Sequence, residues 1–106
     1  MYIRIQDKSI RYRISRHEAR HLIDGGSIFQ ELTLSAAHSL RYGIETNSAK
    51  NSFDYDAQLN RFLLSINRNE LILEMENRPS KKGIILNHNT ASDPIAVSVE
   101  IDIKKK

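Results

Sequence analysis

The sequence predicts an α+β fold, mainly β, in which two pseudo-symmetric strand-strand-helix-strand-strand repeats share one core as a barrel or a sandwich with two short helices. Three observations carry this expectation. Short segments alternate apolar and polar residues at the period of two that marks a half-buried strand. Two of these segments run into a helix-capping signature, Ser15 with Glu18 and Asn67 with Glu70, ahead of apolar residues at helical spacing. A shift of 52 positions lays Ile10–Glu18 on Phe62–Glu70, so strand, cap and helix recur in the same order.

The first element is a hairpin. A turn at Asp7-Lys8 pairs Ile5 with Ile10, Arg4 with Arg11 and Ile3 with Tyr12, which gathers the aliphatic residues on one face and the arginines on the other. At Ser15 the hydroxyl accepts from a first-turn N–H while Glu18 reaches back to the cap's own N–H; Ala19, Leu22 and Ile23 then follow at helical spacing. The helix stops at Asp24-Gly25-Gly26, since glycine supplies the left-handed residue that ends helices. Leu40–Glu45 alternates as a strand, and Asn47–Asn51 is an internal turn.

The second copy opens with Phe53, Tyr55 and Ala57 alternating with Asp54 and Asp56, and turns over Gln58–Asn60. Its helix follows Asn67 with Leu71, Ile72 and Met75 and fades through Asn77-Arg78-Pro79; Leu71, Leu73 and Met75 also suit a strand over 70–76, so only the cap and the repeat favour helix there. Gly83 takes the place of Gly26 after a five-residue insertion, and Val97–Asp102 alternates as the closing strand. The repeats span about 1–46 and 52–103 of a single domain, 1–106, with Lys104-Lys105-Lys106 as a solubilising tail. Each half is too small for a secure core of its own.

Composition sets the setting. No cysteine is present, which removes disulfides, thiolate metal sites and a cysteine nucleophile and suits a reducing compartment. The opening residues alternate polar and apolar where an export signal needs a continuous apolar run, and no stretch approaches a membrane span, so a cytoplasmic location without membrane contact is expected. The net charge of +3 is ordinary, but residues 1–22 concentrate it: Arg4, Lys8, Arg11, Arg13, Arg16 and Arg20 stand against Asp7 and Glu18 alone.

The run Met1-Tyr2-Ile3-Arg4-Ile5, then Ser9-Ile10-Arg11-Tyr12-Arg13-Ile14-Ser15, Glu18 and Gly25-Gly26, resembles over about 30 residues the start of a small bacterial family of unknown function. That resemblance brings no activity with it. In its order of elements the chain is also similar, by pattern only, to swapped-hairpin transcription-factor domains of the AbrB type. Those bind DNA as dimers through basic hairpins, and two units in one chain would imitate the dimer.

Two constellations have chemical meaning. His17-Glu18-Ala19-Arg20-His21 spells the H-E-x-x-H spacing that places two imidazoles on one helical face for zinc, with the glutamate as general base. Against it, Glu18 is already required by the cap, and Arg16 and Arg20 oppose a dication. A third ligand would have to come from Glu31, His38 or His88. The second constellation is the arginine face, Arg4, Arg11 and Arg13, continued by Arg16 and Arg20. Arg4 opposite Arg11 sets like charges across a strand pair, which is destabilising unless an anion is near; the face is either open to solvent or paired internally with Asp54 and Asp56, with a phosphate backbone as the lesser alternative.

Gly25-Gly26 precedes a strand and so cannot form a phosphate loop at a helix start, and no serine sits in a nucleophile-elbow context. No catalytic residue or cofactor is assigned, and an enzyme is not expected. The leading expectation is a non-catalytic binding or interaction domain whose partner is another protein or itself, with unpaired strand edges that invite a homodimer. The alternatives are nucleic-acid binding through the five arginines and zinc-dependent hydrolysis through His17, Glu18 and His21.

Overall fold

Asp7 takes a left-handed backbone conformation, φ 49°, and reverses the chain so that β1 (Tyr2–Gln6) lies antiparallel to β2 (Ser9–Ile14). The register is the one read from the alternation: Ile5 opposite Ile10, Arg4 opposite Arg11, Ile3 opposite Tyr12. The computed structural model describes residues 1–76, 83–89 and 94–102, and within β7 the side chains of 84–87 only. The fading of the second helix through Asn77-Arg78-Pro79 and the Lys104–Lys106 tail lie outside the described residues.

Helix α1 (Arg16–Ile23) begins at a complete capping box. The Glu18 N–H donates to Ser15 Oγ at 3.0 Å, and the Ser15 N–H donates to Glu18 Oε1 at 2.9 Å. It ends in a Schellman motif: with Gly25 at φ 99°, the Gly25 N–H reaches the Leu22 carbonyl and the Gly26 N–H the His21 carbonyl, both at 3.0 Å. Strands β3 (Ser27–Ser35) and β4 (His38–Asn47) follow as a long hairpin.

The second half repeats the order of elements with β5 (Ser52–Asp56), β6 (Arg61–Asn67), α2 (Arg68–Glu76), β7 (Ile84–Asn89) and β8 (Pro94–Ile101). Residues 70–76 are helical, not extended. The cap of α2 differs from the expected box. The Glu70 N–H does donate to Asn67 Oδ1 at 3.1 Å, but the Asn67 N–H is taken by Asn51 Oδ1 at 2.6 Å, and Asn51 Nδ2 donates to Glu70 Oε1 at 3.2 Å. The β4–β5 turn delivers Asn51 into the gap, so the asparagine amide bridges what Ser15 and Glu18 join directly.

Among the described residues the eight strands form two four-stranded sheets, ordered β1-β2-β8-β7 and β3-β4-β6-β5, rather than a closed barrel. Each sheet therefore takes one hairpin from each half of the chain. The seams are parallel: β2 runs along β8 with Tyr12 opposite Val99, and β4 along β6 with Ile44 opposite Leu64. Between the sheets lies one apolar cluster, in which Tyr12, Ile14, Leu22, Ile44, Leu64, Ile66, Leu71, Val97 and Val99 are fully buried. Tyr12 meets Phe62 edge-on across the sheets at 6.4 Å between ring centres, and Phe62 stacks on Tyr42 at 5.8 Å.

The Tyr12 hydroxyl has no hydrogen-bond partner among the described residues; burial, then the neighbouring Tyr42, pushes its pKa up and keeps it neutral. The helices lie side by side, and Arg68 Nε, at the start of α2, donates to the Ile23 carbonyl at the end of α1 at 2.6 Å. Among the described residues no helix is long and apolar enough to cross a membrane.

Candidate functional site

Strand alternation places Arg4, Arg11 and Arg13 together on the outer face of the first sheet, as the sequence indicates. Their acidic partners are a correction. Asp54 and Asp56 sit on β5 in the other sheet, where Asp56 Oδ1 accepts the Gln58 and Leu59 N–H groups of its own turn at 3.0 and 3.3 Å. Instead, the parallel seam sets Arg13 opposite Glu100, and β8 together with Asp102, the residue that follows it, supplies the anions. Arg11 Nη1 lies 3.4 Å from Glu100 Oε1, Arg13 Nε 3.7 Å from Glu100 Oε2, and Arg13 Nη2 3.6 Å from Asp102 Oδ1.

The Arg11 and Arg13 side chains are 51% and 46% exposed, so these pairs contribute at most about 1 kcal/mol each. They nonetheless neutralise most of the face that a phosphate would use. Among the described residues Arg4, Arg16 and Arg20 have no carboxylate within 4.0 Å, and Arg16 and Arg20 lie on the helix, away from the paired arginines.

The His-Glu-x-x-His segment is occupied with structural work. The Glu18 carboxylate closes the cap and also holds the Met1 amino group. His21 folds over Gly26 with Nε2 3.3 Å from the Ser27 carbonyl, so close that a Cβ at residue 26 would strike the imidazole. His17 is exposed. Of the expected third ligands, Glu31 pairs with Arg41 at 3.5 Å, His38 Nδ1 lies 3.1 Å from Ser35 Oγ at the far hairpin turn, and the His88 side chain falls outside the described residues. No group of three His, Cys, Asp or Glu stands together to hold a metal ion among the described residues.

Burial pushes the Glu18 pKa up, but the hydrogen bond and charge of the Met1 amino group and the bonds from Ser15 outweigh it, and the net value is below the ordinary 4.5. A carboxylate with a depressed folded pKa stabilises above its unfolded value and loses that contribution as pH falls through the folded one. Glu18→Gln is therefore expected to lower the melting temperature at pH 7 by a few degrees, about 1 kcal/mol for an impaired cap. The gap between variant and wild type should close below pH 4, as thermal melts across pH 3–7 will read.

The surface that sequence reasoning missed is β3. Phe29, Leu32 and Leu34 are 47%, 53% and 62% exposed on a nine-residue strand at the edge of its sheet. Its one charge, Glu31, is already paired with Arg41 across the hairpin. The Phe29 ring covers Gly43, where a Cβ would lie 2.3 Å from it, and carries the Arg61 guanidinium 5.3 Å above its centre. The other edges are shorter: β1 and β5 have five residues and bear Arg4 or Asp54 and Asp56, and β7 has six. A strand with apolar residues on both faces was visible in Ile28-Phe29 and Leu32-Thr33-Leu34; that it forms an edge was not.

A protein-family model matches residues 1–104, and its description is a family of unknown function. The resemblance read from the first 30 residues therefore extends over nearly the whole chain. No curated protein and no solved structure matches.

Proposed function

We propose that this chain, which belongs to the family of unknown function DUF7009, is a non-catalytic interaction domain that binds by strand addition along the free edge of β3, with a second copy of itself as the partner. The observation that carries the reading is that edge: in unbroken register from Ser27 to Thr33 ahead of a shift at Leu34, apolar on both faces, and bearing one charge that is neutralised within the chain. Edges that remain solitary are normally short, charged or interrupted. Pairing about a two-fold axis at Leu32 sets Leu32 against its own counterpart and Glu31 against Thr33, so like charges do not meet. In the same reading, residues 1–46 and 52–103 are two copies of one unit within a single cytoplasmic domain.

Nucleic-acid binding has less support. The exchange of hairpins between the halves suits the swapped-hairpin pattern, but Arg11 and Arg13 are held by Glu100 and Asp102.

Sedimentation equilibrium tests the proposal. The wild-type chain is expected to dimerise with a Kd in the micromolar range, about −8 kcal/mol. Leu32→Lys/Leu34→Lys should be monomeric and, both sites being exposed, should melt where the wild-type chain melts at concentrations below its Kd. A wild-type chain that stays monomeric up to about 1 mM overturns self-pairing.

A further inference from the structure

The two helices leave a half-open cleft of about 420 Å³ on their solvent side, and we infer that it binds a free acyl carboxylate, the apolar chain lying between the helices and the acid at Arg16 and Arg20. The inference is independent of the β3 edge. Ile23 from α1 and Ile72 and Met75 from α2 line the cleft and are only partly buried, so apolar surface remains open to water within it. Its size falls in the range of small-ligand sites, about 300–1,000 Å³.

Charge identifies the occupant. Arg16 and Arg20 are four residues apart and share one side of α1, both are exposed, and neither has a carboxylate within 4.0 Å among the described residues. Arg16 stands in the first turn, where the helix dipole already concentrates positive charge. The acid in that turn, Glu18, is committed to Ser15 and the Met1 amino group. Glu76 lines the opposite wall and repels a carboxylate from that side, which confines the headgroup to α1. An apolar floor with two adjacent cations on one rim and an anion on the other selects a chain with one acidic end. A neutral chain leaves the guanidinium groups unused, and a small anion leaves the floor wet.

Isothermal titration with octanoate, decanoate, acetate and decyltrimethylammonium tests this on the full chain. Decanoate is expected to saturate one site, with affinity rising by up to about fourfold for each methylene added beyond octanoate. Acetate and the cationic amphiphile should give no saturable heat. Arg16→Gln/Arg20→Gln is expected to weaken decanoate about tenfold at an unchanged melting temperature, whereas Arg4→Gln/Arg11→Gln on the sheet face leaves it unaffected. Equal binding of the two ten-carbon amphiphiles, insensitivity to the helix double variant, or absence of saturable decanoate binding each overturns the inference.

Discussion

Residues 1–50 produced alone are expected to be unfolded as a monomer, and mixing them with residues 51–106 should restore the native structure. The reason is the exchange of hairpins. In the fragment β2 loses β8 and β4 loses β6, so both sheets are cut along their central seams, leaving two separate two-stranded hairpins. Such hairpins are marginal in water. The core is divided in the same stroke: Tyr12, Ile14, Ala19, Leu22 and Ile44 part from Phe53, Phe62, Leu64, Ile66, Leu71, Val97, Val99 and Ile101. Fifty residues cannot replace that burial from their own apolar side chains. Circular dichroism melts and amide proton dispersion of the fragment, alone and after mixing, provide the readout. A monomeric 1–50 fragment with a cooperative melt would show that each half carries its own core.

The second large effect is expected at Gly83, just ahead of β7. Its φ is +68°, and a Cβ there would lie 2.1 Å from the Val99 carbonyl oxygen, 2.9 Å from the Val99 carbonyl carbon and 3.0 Å from Glu100 Cα. All three atoms are backbone, and they belong to the strand that makes the β2–β8 seam, so relief requires the sheet itself to move. Left-handed strain of about 1–2 kcal/mol and overpacking of about 1–3 kcal/mol combine, and Gly83→Ala is expected to cost roughly 3 kcal/mol. That corresponds to a melting temperature lower by about 15 °C. Gly25 provides the control. Its φ is +99°, but a Cβ there would meet nothing within 4 Å, so Gly25→Ala bears the backbone strain alone, about 1–2 kcal/mol. Equal losses in the two variants would mean that the Val99 carbonyl yields freely.

Much of the local structure was legible because its causes are local. The Asp7 reversal sets the β1–β2 register, Ser15 and Glu18 begin α1, and Gly25 ends it, each through groups within a few residues of one another. The candidate site was legible only in part. The arginine stripe follows from alternation, yet the choice between Asp54 with Asp56 and Glu100 with Asp102 as its partners depends on which hairpin lies alongside, and both carry alternating acids. The α2 cap shows the same limit at short range: Glu70 is positioned to close a box with Asn67, and Asn51, sixteen residues earlier, enters instead.

By itself the sequence determined the β1–β2 register, the arginine face of that hairpin and the capped start and glycine stop of α1, because side-chain period, turn conformation and capping hydrogen bonds act between near neighbours. Tertiary structure alone decided that the hairpins cross over between the halves, that β3 is left as an open edge, and that an apolar cleft with an arginine rim opens between α1 and α2. The physical reason is that backbone N–H and C=O groups are the same in every strand. Alternation states which face is apolar but not which edge is paired, and that choice is made by the packing of Tyr12, Phe62 and their neighbours into one shared core.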